Sequence, residues 1–136
     1  MFSYGQGRGD VWCFGLSAQM KFSGGNLQAN GSSSLFAQEE CTSISDQAGN
    51  LLFYVGPNYF HSNGWFPQEL TIWDRNNQIM QNGDSLCGIT SATSSTLILP
   101  LPNDTSLCKL PIFSDHLKVK FFADDIEILK TCLSSQ

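Results

Sequence analysis

A chain of 136 residues, 41% apolar and 12% aromatic, is long enough to bury one sizeable core, so folding does not require disulfides. Seven Lys and Arg against twelve Asp and Glu leave a formal charge of −5, and the basic residues are scattered, which excludes the clustered positive surface that nucleic acid or an anionic membrane needs. No run approaches the roughly 20 apolar residues of a membrane-spanning helix, and residues Met1 to Gly9 lack the basic-then-apolar layout of a signal peptide, which taken alone predicts retention in the cytoplasm.

Along the chain the hydrophobic spacing is strand-like. Trp12, Phe14 and Leu16 alternate, and Ser23-Gly-Gly-Asn26 and Asn30-Gly-Ser-Ser-Ser34 punctuate the next stretch as loops. The segment Ser43-Ile-Ser-Asp46-Gln-Ala-Gly49-Asn50-Leu-Leu-Phe-Tyr54 reads as a turn feeding a buried strand. Asp46 can accept hydrogen bonds from the amides after it, Gly49 can take the positive φ that closes such a turn, and Leu51 to Tyr54 continue into a sheet. The same logic recurs: Leu70-Thr-Ile-Trp73 alternates, Asp74-Arg-Asn76-Asn77 supplies turn chemistry, and Gln78-Ile-Met80 returns as the partner strand. Gly56-Pro-Asn58, Asn82-Gly-Asp84 and Pro102-Asn-Asp-Thr105 separate further strands. Leu97, Leu99 and Leu101 alternate, and Leu117, Val119 and Phe121 alternate against His116, Lys118 and Lys120, a strand with one wet face. Over Asp124–Leu133 two patterns compete: a short C-terminal helix capped by Asp124 or Asp125 with Ile126, Leu129 and Leu133 on one side, and a strand through Ile126 and Ile128. Strands at such short intervals predict an all-β fold of antiparallel hairpins.

In order along the chain, Trp12-Cys-Phe-Gly15, Phe22, Glu40-Cys41, Ile44-Ser-Asp46, Gly49-Asn-Leu-Leu-Phe-Tyr54, Thr71-Ile-Trp73-Asp-Arg-Asn-Asn-Gln-Ile-Met80 and Asn82-Gly83 resemble the N-terminal β-propeller-like region of large secreted Bacteroidota surface proteins. That family commonly continues into PKD-type repeats and a type IX secretion sorting domain associated with gliding motility. The resemblance covers roughly residues 11 to 102. Residues 56 to 69 form an insertion between hairpins that the family joins closely, and 103–136 are an unassigned continuation of one unit spanning 1–136. The resemblance implies propeller-like blades and a secreted or cell-surface address. A four-stranded blade takes on the order of 40 to 50 residues and a closed ring about four to eight blades, so two to three blades of an incomplete ring are expected. The Ser45-Asp46-x-x-Gly49 turn also resembles the Asp-box of sialidase-type propellers, which sits on blade turns away from catalysis.

Catalytic and metal chemistry is thinly represented. Cys13, Cys41, Cys87, Cys108 and Cys132 form an odd set without a Cys-x-x-Cys pair, so no zinc ribbon or thioredoxin-like site is indicated, and small buried hydrophobes or one disulfide are the readings. Neither His61 nor His116 lies beside a nucleophile motif, and no Gly-x-Ser-x-Gly or His-Glu-x-x-His occurs. Glu39-Glu40 and Asp124-Asp125 are adjacent carboxylates that a strand would send to opposite faces, and they read as solvated charges. Asp74-Arg-Asn76 has the alternating oxygens of a calcium loop but lacks the loop glycine and the bidentate Glu, so turn chemistry is the better reading. Tyr59, Phe60, Trp65 and Phe66, bracketed by Pro57 and Pro67, are the candidate recognition loop: they suit stacking on a sugar ring or gripping a partner, against the commoner outcome of folding back as a satellite core beneath the loop. The expectation is a non-catalytic structural or recognition module for adhesion or scaffolding. It needs no cofactor and no metal. Its partner is the remainder of a larger chain or another protein, or a glycan. The alternatives are a glycan-processing enzyme on a propeller-like scaffold and a small self-contained β-sandwich binding domain.

Overall fold

The computed structural model describes residues 7–58, 69–84, 86–87, 96, 98–101, 104–109, 118–121 and 126–129. All regular structure among the described residues is antiparallel β-sheet, and none of it is helical. Two sheets hold the core. The first is a meander of β1 (Val11–Phe14), β2 (Leu16–Ser23) and β3 (Asn26–Phe36). The chain reverses between β1 and β2 at Gly15 (φ 59°) and Ser17 (φ 62°), so Leu16 does not extend the Trp12–Phe14 alternation but opens the next strand. Ser23 then pairs with Asn26 across Gly24 and Gly25, both at positive φ (57° and 79°), the two-residue turn whose twist matches its flanking strands.

The loop expected over Asn30–Ser34 is instead the middle of β3. Met20 pairs with Ala29 and Ala18 with Ser32, so β3 carries an extra residue there, and Gly31 takes the positive φ (93°). Glycine and serine mark a bulge within a strand here, not the end of one.

The second sheet has the order β4 (Thr42–Ser45), β5 (Leu51–Pro57), β6 (Glu69–Asp74), β7 (Leu86–Cys87). Gly56 and Pro57, expected between strands, complete β5 opposite Thr71 and Leu70. The return strand expected over Gln78–Met80 is reduced to one bridge, Trp73 to Ile79. Ile72 then donates to the Gly83 carbonyl at 2.6 Å and accepts from the Met80 amide at 2.9 Å, Asn82 turns at φ 58°, and regular pairing resumes only at Leu86. Two further ribbons come after it: β8 (Leu99–Leu101) with β9 (Asp104–Lys109), and β10 (Lys118–Phe121) with β11 (Ile126–Leu129). Pairing of Ile126 with Phe121 and Ile128 with Val119 overturns the helical option at Ile126–Leu129, since β-branched residues at every second position satisfy a pleated ribbon. The described sheets do not close into a ring.

Strand β5 is buried on both faces. Ile44, Phe53, Val55, Leu70, Ile72 and Leu86 form one cluster. On the other side, Leu51, Tyr54 and Trp73 pack against Val11, Cys13 and Leu35 of the first sheet. Leu51 reaches this second cluster because a bulge between Ile44 and Ser45 shifts the register of β5. Each such side chain contributes about 1.5–3 kcal/mol on burial, and the second cluster is where the two sheets become one core.

Candidate functional site

The edge of β1 is not continued by a main-chain ladder but by side chains of β4. The Ser43 hydroxyl accepts the Cys13 amide at 3.3 Å and donates to the Val11 carbonyl at 2.9 Å, while the Ser45 hydroxyl accepts the Val11 amide at 3.2 Å. Cys41 follows on the same side of the chain, where burial above all and then the charge of Glu40 push its thiol up, with the Gly15 amide easing it. Residues 41, 43 and 45 lie on one side of an extended chain, so they form a row that meets Gly15, Cys13 and Val11 in antiparallel order. The row satisfies edge amides that would otherwise be orphaned beside an apolar cluster, where each would cost about 1–3 kcal/mol. No motif named above includes these serines for their hydroxyls, though Ser43-Ile-Ser45 ahead of a buried strand is a period-two signal that could have found them.

The two Asp turns are near copies of each other. Asp46 Oδ1 accepts the amides of Ala48 (2.8 Å) and Asn50 (2.9 Å), its Oδ2 accepts Asn50 Nδ2 (3.1 Å), and Gly49 sits at φ 80°. Asp74 Oδ1 accepts the amides of Asn76 (2.8 Å) and Gln78 (2.9 Å), and Asn77 holds the positive-φ position at 63°. Asp46, Gly49, Asn50, Asp74 and Asn76 thus all lie within the two turns and make their bonds there. The Asp74 carboxylate is committed to its own turn, and among the described residues no three His, Cys, Asp or Glu side chains are grouped to hold a metal ion.

The two turns differ at the positive-φ residue for a reason that lies outside each turn. Gly49 is pressed against Asp10, whose Oδ2 would stand 2.5 Å from an added Cβ. Asn77 instead uses its side chain: Oδ1 accepts the Tyr54 hydroxyl at 2.6 Å and Nδ2 donates to the Ser32 carbonyl at 3.1 Å. The Tyr54 oxygen in turn accepts the Ser34 amide at 2.9 Å. Fully buried Tyr54 also stacks on Trp73, with ring centroids 5.3 Å apart and planes 17° from parallel. Asn77 and Tyr54 therefore tie β3 to the second sheet, and Tyr54 is itself the strand partner of Ser43. Burial pushes the Tyr54 phenol up, so it stays a neutral donor at physiological pH.

Asp46 carries a pH signature. The Asn50 amide above all, then the Asn50 side chain, the Ala48 amide and the charge of Arg75 hold its carboxyl below the usual value, against a smaller opposing effect of burial. A depressed folded-state pKa adds stability that is fully present above the unfolded value of about 3.9 and is lost as pH falls through the folded value. Asp46→Asn is expected to flatten the acid limb of thermal midpoint against pH below about pH 4, relative to wild type. An unchanged acid limb would remove this turn from the acid response.

Cys13 is buried and Cys41 half-buried, and both are free thiols. The side chains of Glu39 and Glu40 do separate, but only Glu39 is a solvated charge. Glu40 is 1% exposed and accepts the Thr96 hydroxyl, so its carboxylate is walled off within the fold, a correction to its expected solvation. Asp124 and Asp125, His61 and His116, and the aromatic loop of Tyr59, Phe60, Trp65 and Phe66 lie outside the described residues.

The described surface does offer an apolar sheet face. Trp12 pairs with Met20, Phe22 with Leu27 and Met20 with Ala29, placing all of them on the side of the first sheet turned away from the core. Trp12 (54% exposed), Phe22 (36%) and Leu27 (55%) are open to solvent, and the Trp12 and Phe22 rings meet at 5.2 Å. The Trp12 indole N–H donates to the Gly9 carbonyl at 2.8 Å, which fixes the ring in place. Among the described residues no helix is long and apolar enough to cross a membrane. Compared with known proteins, the chain matches no family model, and no curated protein or solved structure is significantly similar to it.

Proposed function

We propose that the chain is a non-catalytic structural and recognition module of a secreted or cell-surface protein, built from propeller-like hairpin blades, that docks the outer face of its first sheet onto a second apolar β-sheet. That second sheet belongs to the remainder of a longer chain or to another protein. The observation that carries the reading is the exposed cluster of Trp12, Phe22 and Leu27. With those exposures the three side chains leave on the order of 300 Å² of apolar area on one face, a size at which surface patches are often functional. Among the described residues no charged side chain interrupts Trp12, Met20, Phe22, Leu27 and Ala29, so the surface that covers them is apolar too, in the manner of two sheets packed about 10 Å apart. The ordered motifs from Trp12 to Gly83 support the blade architecture and the outward address. The polar residues that invite a catalytic reading, Asp46, Asp74 and Glu40, are engaged by turn amides or by Thr96.

The cluster shared by Val11, Cys13, Leu35, Leu51, Tyr54 and Trp73 between the two sheets also suits a small self-contained β-sandwich, the second reading. Light scattering over a concentration series, paired with product analysis on a polysaccharide panel, tests the leading one. With no other apolar sheet in solution, two copies are expected to cover each other's outer faces, as reversible association that is lost in Trp12→Ser/Leu27→Ser with that variant still folded. A monomer at every concentration would favour the sandwich, and released sugar would replace the module with a glycan-processing enzyme.

A further inference from the structure

The side edges of the first sheet are closed by side chains of the second, except along one short stretch of β3. On β1 the hydroxyls of Ser43 and Ser45 accept the outward amides. Towards the end of β3 the Tyr54 hydroxyl accepts the Ser34 amide and the Asn77 side chain donates to the Ser32 carbonyl, so those edge groups are closed too. Between these caps and the Gly24-Gly25 turn, hairpin geometry decides which groups of β3 face outward. Ser23 and Asn26 close a two-residue turn, so they bond each other, as do Lys21 and Gln28, while the alternate rungs Phe22–Leu27 and Met20–Ala29 do not. The Phe22 amide fixes the phase: it donates away from β3, to the Asp10 carbonyl at 2.7 Å. The amides and carbonyls of Leu27 and Ala29 therefore point away from β2, to a side where no described strand pairs with β3. Residues 26 to 29 are all exposed. Sheet edges are commonly blunted by charge, proline or a bulge, but Asn26-Leu-Gln-Ala29 holds neither charge nor proline, and the bulge at Gly31 lies beyond it.

We propose that a second copy of this chain adds to the Leu27–Ala29 edge, joining two first sheets into one continuous antiparallel sheet. The occupant follows from the pattern, because the outward residues flank Gln28 symmetrically. An antiparallel strand of the same sequence sets Leu27 opposite Ala29, Gln28 opposite Gln28 and Ala29 opposite Leu27, each Leu27–Ala29 rung exchanging both of its N–H···O bonds about a two-fold axis. Gln28 carries no charge, so nothing repels across the axis, and the two side-chain amides can bond each other. The serine row occupies the edge of β1, so among the described residues the first sheet offers this one place for addition. Leu27 shares the outer face with Trp12 and Phe22, and pairing sets two such faces side by side. The pairing uses main-chain groups and does not rest on the docking proposed for that face. A ladder this short buries far less than the roughly 1,200 Å² of a stable interface, so alone it is weak and reversible.

Gln28→Cys tests the register by trapping it, and residue 28 is exposed, so the change spares the core. In a non-bonded antiparallel rung the Cα atoms stand about 4.5 Å apart, within the span of about 4.4–6.8 Å that a disulfide bridges. Concentrated Gln28→Cys in oxidised glutathione is expected to give a covalent dimer whose peptide map links residue 28 to residue 28 of the second copy. Asn26→Cys, displaced from its own copy by about 13 Å along the paired strands, is expected to give no such self-link. Trp12→Ser/Gln28→Cys, which impairs the outer face and leaves the edge intact, is expected to keep the link at residue 28. Gln28→Cys that stays unlinked, or links no faster than Asn26→Cys, would overturn the edge pairing while leaving the docking of the outer face standing. A link lost on adding Trp12→Ser would also overturn it, by showing that the face and not the edge holds the copies together.

Discussion

Tyr54→Ala is expected to lower the unfolding free energy by about 4 kcal/mol, and Tyr54→Phe by about 1–3 kcal/mol. The ring is fully buried and stacked on Trp73, so truncation removes a large apolar body and leaves a cavity between the sheets. The hydroxyl adds a separate contribution. Without it the Ser34 amide loses its acceptor and Asn77 Oδ1 loses a donor, both at the junction of β3 with the second sheet. Urea denaturation of the wild type and both variants separates the two effects, since the phenylalanine keeps the packing and loses only the hydrogen bonds. A Tyr54→Phe loss below about 0.5 kcal/mol would mean that water replaces the phenol at little penalty and that the tie is weaker than its geometry indicates.

A second large effect is expected at Gly56, for steric and not conformational reasons, because this glycine has no positive φ to protect. A methyl group there would stand 2.4 Å from Leu35 Cδ2 and 3.2 Å from the Glu40 carbonyl oxygen. Leu35 is 1% exposed and part of the cluster between the sheets, so it has little room to retreat. Gly56→Ala is expected to destabilise the protein by about 1–3 kcal/mol, the usual penalty of overpacking a dense core. The coupling is as informative as the size. Adding Leu35→Ala makes room for the new methyl, so the double variant is expected to be more stable than the sum of the two single losses, by an interaction of roughly 1 kcal/mol or more. Additive losses would show that the clash relaxes elsewhere.

Features whose chemistry closes within about five residues are legible in the sequence. Asp46 and Asp74 bond amides two and four residues ahead, and Gly24-Gly25 fits a tight hairpin, so composition at a fixed offset is enough. Features that depend on distant partners are not. The Ser45–Val11, Ser34–Tyr54 and Asn77–Ser32 bonds span 34, 20 and 45 residues, and each uses a residue type that reads as surface or loop when seen alone. Asn30–Ser34 misleads for the same reason, since glycine and serine serve a bulged strand as readily as a loop. Glu40 reads as solvated because a lone carboxylate normally is, and only the fold brings Thr96 to it. The apolar outer face of the first sheet is hidden by the reversal at Gly15, which moves Leu16 into the next strand and brings Phe22 beside Trp12.

The serine row and the Tyr54–Asn77 tie, which meet where Ser43 pairs with Tyr54, join the two sheets into one body that holds the outer apolar face of the first sheet in place. Native-state hydrogen exchange of the wild type alongside Tyr54→Phe reads that joint most directly. The amides of Val11, Cys13 and Ser34 donate to side chains of the second sheet and not to the ladder of the first. In the wild type they are expected to exchange as slowly as the Val55 amide at the centre of β5, and in Tyr54→Phe the Ser34 amide is expected to lose protection first. Rapid exchange of all three in the wild type, with Val55 still protected, would contradict the account by showing that the two sheets open independently.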